Sequence, residues 1–353
     1  MDQKNEIDQL LDTVIREGGS DLHLSAGRHP TLRVSGVLLP LARQEVLTSK
    51  DLENFLELLL SKEAKERFLS EKEVDFSYSH NSGNRFRGSA YYQQSEICIA
   101  LRLIQKNIRT LAELGLPTIL ETFSEKQQGF FLVVGPVGHG KSTTLAALID
   151  LINTNRAEHI ITIEDPIEYI YEQKKSIIDQ REVRLDTKDF HTALISMFRQ
   201  DVDVVLVGEM RGQETIATAV TAAETGHLVL STLHTNNAAQ TISRIIDSFP
   251  PSQQDQIRIQ LANSLTGIFS QRLVPRVSGG LVPAYELLIN NSAVSNLIRE
   301  NRVHEINTVI ETSSQEGMID LNHCLADLVS RGEITVETAY QYSANPKMLQ
   351  RLI

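Results

Sequence analysis

Residues 129–142 read GFFLVVGPVGHGKS, an apolar run followed by a glycine-rich turn and a Lys-Ser pair. The last eight residues match G-x-x-x-x-G-K-[ST], in which the glycines let backbone N–H groups close around phosphate oxygens. Beyond them, Leu145, Leu148, Ile149 and Ile152 recur at the spacing of a helical face. The stretch predicts a buried strand, a phosphate-binding loop and a helix whose N-terminus favours an anion.

This loop predicts a site for a nucleoside triphosphate, with ATP and Mg²⁺ as the cofactors. Lys141 can reach the β- and γ-phosphates, and the Ser142 hydroxyl can ligate Mg²⁺. A chance glycine-rich turn is the alternative, but the strand and the helix on either side favour a binding loop. The residues that we expect to line the site are Gly135, Pro136, Val137, Gly138, His139, Gly140, Lys141, Ser142 and Thr143.

Length and composition bound the organisation of the chain. At 353 residues it exceeds the usual size of a single core, so we expect two domains. No apolar run approaches the ~18 residues of a membrane span, and the polar N-terminus does not resemble a signal peptide. Cys98 and Cys324 fit no metal spacing, which predicts free buried thiols in a reducing cytoplasm. We expect no direct membrane insertion.

The charge balance bears on the class of partner. The net charge is −11, which argues against affinity for nucleic acid over the whole surface, although a local basic pore is compatible with it. Tryptophan is absent and aromatic residues make up 5% of the chain, so a stacking platform for single strands is not expected. We predict no nucleic-acid partner.

The pattern divides near residues 107–111, which predicts one domain at 1–107 and a second at 108–353. In the first, residues 7–15 are typical of an amphipathic helix and 52–69 of a helical stretch. Strands with helices on one side predict a small α+β domain. Its predicted strands are 21–25, a hairpin at 32–39 turning at Ser35-Gly36, and 76–78, 85–92 and 97–104.

After residue 111, short apolar strands alternate with helical segments. Buried runs of Val, Ile and Leu separated by helices predict a parallel sheet covered on both faces, an α/β architecture. Between the second and third strands, Phe190 to Phe198 follow a helical face, with Thr187 or Asp186 as the expected N-cap. From about residue 290 the pattern predicts mostly helix. The predicted strands are 130–134, 160–164, 203–207 and 228–233.

Acidic residues follow two of these strands, at the edge where doubly wound sheets bind ligands. Residues 160–163 run into Glu164, and 204–207 run through Gly208 into Glu209 in a Walker-B-like pattern. ATP hydrolysis needs Mg²⁺, an oriented water and positive charge on the transition state. The two glutamates are therefore predicted catalytic carboxylates, with Glu209 near Mg²⁺ or its water. A carboxylate that caps the next helix is the alternative for either one.

Histidines and arginines supply the other catalytic candidates. His227 and His234 bracket the last predicted strand; a metal pair is the alternative, but no third ligand is spaced to support it. Arg85, Arg87 and Arg102 lie on predicted strands of the first domain, where alternation puts the first two on one face. Two interpretations of these arginines are open. Either they form a solvated face of the sheet, or one of them is offered across a subunit interface to the γ-phosphate.

Five stretches stand in a recognisable order: 135–148 (GPVGHGKSTTLAAL), 162–169 (TIEDPIEY), 207–211 (VGEMR), 221–235 (TAAETGHLVLSTLHT) and 296–300 (NLIRE). They resemble the Walker A, Asp box, Walker B, His box and C-terminal motifs of the PilT family of type IV pilus retraction ATPases, in the secretion-ATPase superfamily. SDLHLSAG, at 20–27, extends the resemblance to essentially the whole chain. The last motif resembles the retraction branch.

The resemblance implies a RecA-like P-loop NTPase domain preceded by a PAS-like domain. It further implies a homo-hexamer, with ATP at the domain junction completed by a neighbouring subunit. By this resemblance Lys141 and Ser142 hold phosphate and Mg²⁺, Glu164 is the preferred general base, and Glu209 supports Mg²⁺ and water. The two histidines would sense the γ-phosphate, and the three arginines would contact nucleotide. Which glutamate is the base stays open.

Some positions depart from the family pattern. Val137 and His139 replace Thr and Ser at wildcard positions of the loop, so we expect nucleotide binding to survive. Ser295 replaces a basic residue of the C-terminal motif, which bears on the coupling to retraction and leaves hydrolysis untouched.

The expected function is a motor that turns an inner-membrane platform protein and removes pilins from a pilus base, the basis of twitching motility. Extension ATPases of the superfamily carry a longer N-terminal region and a four-cysteine zinc motif, and this sequence shows neither. The alternatives are an ATPase of a type IV secretion system, a nucleic-acid motor, which the acidic charge disfavours, and a nucleotide-binding regulator without turnover. The expected location is the cytoplasm, peripheral at the inner face of the cytoplasmic membrane.

Overall fold

The structure, a computed structural model, describes residues 3–34, 36–104, 106–210 and 212–353. Ser35, at the predicted hairpin turn, and Arg211, the last residue of the Walker B motif, lie outside the described residues. The chain forms two compact units, each with its own hydrophobic core. The first comprises Met1–Asn107 with Glu168–Ile170, and the second Ile108–Ile167 with Tyr171–Ile353.

The first unit is a small α+β domain. Among the described residues its strands form one antiparallel sheet in the order β3-β2-β1-β6-β5-β4. Its elements are α1 (Gln3–Arg16), β1 (Asp21–Ser25), β2 (Thr31–Val34), β3 (Val37–Pro40), α2 (Ser49–Leu59), α3 (Lys62–Glu71), β4 (Glu73–Ser79), β5 (Arg85–Gln93) and β6 (Glu96–Ile104).

Side-chain alternation gives the sheet of the first unit two different faces. Leu22, Phe86 and Leu101, on the three central strands, are fully buried in a core shared with apolar residues of α1 and α2. The neighbouring positions point to the other face, which carries Arg87 and Arg102 on adjacent strands. This alternation separates an apolar helix-covered face from a polar, arginine-bearing one.

The second unit is built on a mixed sheet with helices on its faces. Its elements are α4 (Glu121–Ser124), β7 (Gly129–Val134), α5 (Lys141–Asn155), β8 (His159–Glu164), β9 (Ile177–Glu182), α6 (Phe190–Met197), β10 (Val204–Val207), α7 (Gln213–Glu224), β11 (Leu228–Leu233), α8 (Ala238–Asp247), α9 (Pro251–Ser264), β12 (Leu265–Pro275), β13 (Leu281–Ile289), α10 (Ser292–Arg299), α11 (Ile306–Thr312), α12 (Leu321–Ser330), α13 (Val336–Tyr342) and α14 (Pro346–Leu349). Short 3₁₀ helices occur at Thr118–Leu120, Val303–Glu305 and Ser314–Glu316.

The described strands of this sheet follow the order β13-β12-β7-β11-β10-β8-β9. All neighbours are parallel except β13, which runs antiparallel to β12. Every residue of β7, β10 and β11 is buried, as expected for strands covered on both faces. The carboxyl ends of β7, β11, β10 and β8 therefore lie side by side along one edge of the sheet.

Several sequence-based expectations needed correction. The single helical stretch predicted at 52–69 is two helices, because Ser61 caps α3 by accepting a hydrogen bond from the Ala64 N–H at 3.2 Å. The N-cap of α6 is Asp189, in place of Thr187 or Asp186, since its carboxylate accepts from the Thr192 N–H at 2.7 Å.

The sequence pattern also missed β9, β12 and β13, so the sheet is mixed and larger than predicted. β9 is an edge strand rich in polar residues, and β12 carries an internal Gln-Arg pair that interrupts its apolar run. Neither stretch shows the continuous apolar character on which the strand predictions depended.

Two further expectations concern membrane-spanning helices and the cysteine thiols. Within the described ranges, no helix is long and apolar enough to cross a membrane. Cys98 and Cys324 are both buried and free, as predicted. Burial raises the pKa of the Cys324 thiol to about 12, so this thiol is inert as a nucleophile.

Candidate nucleotide-binding site

The glycine-rich loop joins β7 to α5 in the way that the sequence predicts. Gly140 is the N-cap of α5 with a φ of 81°, and Gly135 has a φ of 142°, values that residues with a Cβ rarely adopt. A Cβ on Gly135 would lie 2.3 Å from the backbone oxygen of Gln271. The loop therefore needs glycine at both positions to form a cradle of backbone N–H groups at a helix N-terminus.

Lys141 is held inside this cradle. The side chain is buried, and its ammonium donates to the carbonyl oxygens of Gly135 at 3.0 Å and Pro136 at 2.9 Å. These contacts keep the ammonium over the loop, where the predicted phosphates would bind. Ser142 and Thr143 follow in the first turn of α5, at the same end of the helix.

Strand β12 braces the loop from the side through a buried amide. Gln271 accepts a hydrogen bond from the Thr144 hydroxyl at 2.6 Å and donates from Nε2 to the His139 carbonyl at 2.9 Å. Gln271 is 3% exposed and Thr144 is 1% exposed. One side chain thus ties the loop to the first turn of α5.

His139 adds a second contact between the loop and β12. The Leu273 N–H donates to Nδ1 of His139 at 2.8 Å, which puts the proton of the neutral ring on Nε2. Burial, together with the charges of Arg272 and Lys141, lowers the pKa of His139. A residue that departs from the family pattern therefore anchors the loop as a neutral hydrogen-bond acceptor.

Glu164 ends β8 at the carboxyl edge and is 7% exposed. The Thr162 hydroxyl donates to Oε1 of Glu164 at 2.7 Å, and Nε2 of Gln180, on β9, lies 3.5 Å from the same oxygen. Thr162 precedes Glu164 by two residues and shares its face of the strand. Two neighbours thus orient a buried carboxylate at the edge of the sheet.

Glu209 and His234 follow the adjacent strands β10 and β11. Nε2 of His234 lies 3.5 Å from Oε2 of Glu209, and Nδ1 lies 3.3 Å from the Lys141 ammonium. Because an ammonium can only donate, Nδ1 is the acceptor, and the ring proton is on Nε2 and faces Glu209. The chain Lys141–His234–Glu209 links the phosphate loop to the Walker-B-like strand.

His227 lies at the opposite end of β11 from His234. It precedes β11, whereas His234 follows it, and six residues of strand span about 20 Å. Nδ1 of His227 lies 3.0 Å from the Ala222 carbonyl oxygen, and its ring packs edge-on against Phe198. The two histidines therefore cannot ligate a single metal ion, and of the two it is His234 that contacts Lys141 and Glu209.

The donor set at the carboxyl edge fits Mg²⁺. Among the described residues, no group of three or more His, Cys, Asp or Glu side chains is arranged to hold a metal ion. Mg²⁺ usually takes one or two protein oxygens and completes its shell with substrate phosphates and water. The Ser142 hydroxyl and the Glu209 carboxylate are oxygen ligands of this kind, next to a cradle for phosphate.

The three predicted arginines belong to the first unit. β5 and β6 pair in a register that sets Arg87 opposite Arg102, and Arg85 lies two residues before Arg87 on the same face. Nε of Arg102 donates to Oδ1 of Asp21 at 2.8 Å, whereas Nη2 of Arg87 lies 3.8 Å from Oδ2 of Asp75. The arginines thus form one group, in a different unit from the phosphate loop.

The C-terminal motif lies on α10 and the turn after it. The hydroxyl of Ser295 lies 3.0 Å from the Ala262 carbonyl oxygen and 3.1 Å from Oδ1 of Asn290, so Ser295 connects α10 to α9. Arg299 is exposed and donates to Oδ1 of Asn263 at 2.9 Å. The substitution at Ser295 therefore replaces a basic side chain with an internal packing contact.

Sequence reasoning missed the residues that support the site. Thr162 was detectable as a polar residue two positions before a strand-end glutamate, whereas Gln271 belongs to β12, a strand that the pattern did not predict. Gln180 belongs to a strand that the pattern did not predict, so its proximity to Glu164 could not be anticipated.

The family comparison agrees with the site geometry. The chain matches the family model described as "Type II/IV secretion system protein" over residues 3–282. It is 41% identical to the type IV pilus retractation ATPase PilT of Pseudomonas aeruginosa, over 97% of this chain and 99% of that protein. It is also 40% identical to the type IV pilus ATPase PilU of the same organism, over 99% of this chain and 91% of that protein.

A solved structure supports the same conclusion. The crystal structure of the pilus retraction motor PilT with bound ADP matches this fold with a TM-score of 0.92 and 44% sequence identity. The match covers 98% of this chain and 99% of that chain. These likenesses confirm the predicted fold class, a RecA-like P-loop NTPase domain preceded by a smaller α+β domain.

Proposed function

The chain belongs to the type II/IV secretion system protein family, and on that premise we propose that it is an ATP-hydrolysing motor that retracts a type IV pilus. The observation that carries this proposal is the chain Lys141–His234–Glu209 at adjoining strand ends, in a protein whose likeness to PilT extends over 97% of its length. The reaction is the hydrolysis of ATP to ADP and phosphate.

Nucleotide binding starts from the phosphate loop. Backbone N–H groups of the loop and the N-terminus of α5 surround the phosphates, and Lys141 neutralises their charge. Ser142 and Glu209 are the residues that would hold Mg²⁺. When bound, this ion would offset the negative charge that develops on the phosphates during hydrolysis.

Glu164 is the proposed general base. It is a buried carboxylate at the carboxyl edge, and the hydrogen bond from Thr162 restricts its orientation. In this role Glu164 orients the attacking water and accepts its proton. The alternative, that Glu209 is the base, is disfavoured because Glu209 faces the Lys141–His234 pair and the proposed metal.

His234 is the proposed γ-phosphate sensor. Its ring contacts both the loop lysine and the Walker B glutamate, at 3.3 and 3.5 Å. A phosphate that draws Lys141 away from His234 would free the imidazole and change its contact with Glu209. His234 can thereby report the presence of the γ-phosphate to the strand edge.

Positive charge on the transition state is proposed to come from Arg85, Arg87 and Arg102. Loss of such a cation typically lowers the ATPase kcat by a large factor, because phosphoryl transfer is catalysed mainly by positioning and by stabilisation of charge. We propose a homo-hexamer in which the arginines of one subunit act on the nucleotide of its neighbour. A closed ring supplies every site with such a neighbour.

The proposed partner is the inner-membrane platform protein of a pilus machine, which would position the motor at the cytoplasmic face of the membrane. Hydrolysis would move the two units of each subunit as rigid bodies, a common response to nucleotide. The motion would turn the platform protein and return pilins from the pilus base to the membrane.

A pair of substitutions tests the chemistry. Glu164→Gln should lower the ATPase kcat by about 10²- to 10⁴-fold, the typical worth of a general base, while ATP binding is retained. Glu209→Gln should raise the Mg²⁺ concentration that gives half-maximal rate. Glu214→Gln, on an exposed position of α7, is the matched control. If neither Glu164→Gln nor Glu209→Gln lowers the rate, the proposed mechanism fails.

Deletion of the gene in its own host tests the biological role. We expect surface pili to accumulate and twitching to cease, and both to be restored by the wild-type gene but not by Lys141→Ala. Loss of pili in the deletion strain would instead indicate an assembly motor. Normal pili and normal twitching would exclude a pilus motor.

A further inference from the structure

The segment 20–27, SDLHLSAG, has no role in the mechanism above, yet its acidic residue is buried in a row of charges. Asp21 opens β1, is 8% exposed, and lies opposite Arg33 of β2 and Arg102 of β6. Arg87 of β5 continues the row beyond Arg102. One buried carboxylate is therefore flanked by arginines on both neighbouring strands.

Asp21 is held by two side-chain hydrogen bonds. The Ser20 hydroxyl donates to Oδ2 at 2.7 Å, and Nε of Arg102 donates to Oδ1 at 2.8 Å. Burial opposes the ionisation of Asp21, but these bonds and the Arg102 charge outweigh it and lower the pKa of the carboxyl. Asp21 is therefore a fixed negative charge at neutral pH.

The contact holds Arg102 by one side of its guanidinium. Nε is engaged with Asp21, while within the described residues the two terminal nitrogens of Arg102 donate no hydrogen bond. The Arg102 side chain is 66% exposed and that of Asp21 is 11% exposed. The buried Asp21 carboxylate thus orients the exposed, planar Arg102 guanidinium, whose N–H donors suit phosphate oxygens.

The Arg87–Asp75 pair provides a contrast on the same face. Its closest nitrogen–oxygen distance is 3.8 Å, and the two side chains are 40% and 51% exposed. A loose, solvated pair of this kind contributes little orientation. Arg102 is thus more tightly positioned than Arg87.

We propose that Asp21 is a positioning residue for ATP hydrolysis, which fixes the Arg102 guanidinium so that its terminal nitrogens meet the phosphates of the nucleotide. The inference rests on the proposed function, in which Arg102 supplies charge to the transition state. A donor that is oriented before the reaction stabilises the transition state more than one that must be ordered during it.

The test is a double-mutant cycle on the full-length protein. Asp21→Asn removes the charge and keeps the shape, and should lower kcat about 10- to 100-fold with little change in KM, as misplacement of a catalytic group does. Arg102→Ala should lower kcat further, on the order of 10³-fold. Because Asp21 acts through Arg102, the double variant should be no slower than Arg102→Ala.

Two additional variants keep the result interpretable. Asp75→Asn, which removes the loose partner of Arg87, should leave kcat within about twofold of wild type. If Asp21→Asn does not fold, Ser20→Ala removes the 2.7 Å bond to the carboxylate, together with a longer 3.3 Å contact to the Arg33 carbonyl oxygen, and leaves the Asp21 charge in place. It should lower kcat in the wild-type but not in the Arg102→Ala background. Thermal unfolding and hexamer size are recorded for each variant.

The outcomes separate the two proposals. Full activity in folded Asp21→Asn, with Arg102→Ala impaired, would overturn the positioning role alone. Effects of Asp21→Asn and Arg102→Ala that multiply would also overturn it, since they would reveal a general structural role. Full activity in Arg102→Ala would remove the arginine from the proposed mechanism, and the positioning role with it.

Discussion

Replacing Gln271 with leucine should loosen the phosphate loop without changing any residue proposed to touch the nucleotide. Leucine has a similar volume but can neither accept from the Thr144 hydroxyl nor donate to the His139 carbonyl. Both groups would lose a buried partner that β12 supplies. The phosphate cradle would then be tethered to β12 chiefly through the Leu273–His139 contact.

The size of the effect follows from burial. Thr144 is 1% exposed, so water cannot replace the missing acceptor, and a buried polar group left unpaired costs about 1–3 kcal/mol. We expect the free energy of unfolding to fall by about 2 kcal/mol. If nucleotide binding must then order the loosened loop at a cost of about 1.4 kcal/mol, the Kd for Mg²⁺–ADP rises roughly tenfold.

Titration calorimetry with Mg²⁺–ADP and denaturant unfolding would measure the two effects. A second substitution provides the internal check: Thr144→Val in the Gln271→Leu background removes the unpaired hydroxyl and should recover part of the stability. Gln253→Leu is the matched control, because Gln253 pairs with Gln213 on an exposed surface. An unchanged Kd in folded Gln271→Leu protein would refute the bracing role of Gln271.

Three further predictions follow from the site and its surroundings. His234→Ala should lower kcat at least tenfold, whereas His227→Ala should reduce stability and leave kcat nearly unchanged; equal losses of kcat would contradict the separation of the two histidines. Because the pKa of His139 is lowered from 6.5, its stabilising contribution is complete above that pH and is lost as pH falls through the folded pKa, so the difference in unfolding free energy between wild type and His139→Ser should shrink on acidification. A constant difference would refute this. Burial raises the pKa of Glu286 from 4.5 to about 7, so the wild type loses stability as pH rises from the unfolded pKa to the folded one and loses little more above it. Glu286→Gln should therefore gain about 2 kcal/mol relative to wild type between about pH 5 and pH 7, and no gain in denaturant unfolding would count against the buried carboxyl.

The local parts of the site could be read from the sequence. The glycine pattern, the Lys-Ser pair and the strand-end glutamates are short-range sequence signals. The order of strand, loop and helix along the chain places them together at the carboxyl edge of the sheet. For this reason the sequence alone predicts Lys141, Glu164 and Glu209 as site residues. It predicts His234 as well, because that residue follows a buried strand in the same way.

The rest depends on long-range pairing. Gln271 is 127 residues from Thr144, and Asp21 is 81 residues from Arg102, so no local pattern connects them. The placement of His227 was available in principle, since two residues that bracket a strand must lie at its opposite ends. That geometric step was missed because both histidines fall within one motif.

Mixing two inactive variants would test most directly whether each active site is shared between subunits. Glu164→Gln lacks the proposed base, and Arg102→Ala lacks the proposed transition-state cation. If the arginine acts on a neighbouring subunit, random mixing into hexamers should regenerate wild-type chemistry in about one quarter of the sites. We expect ATPase activity to reappear as mixed hexamers form. Mixed hexamers that stay inactive, or a monomer that hydrolyses ATP at the full rate, would contradict the shared site and the ring motor.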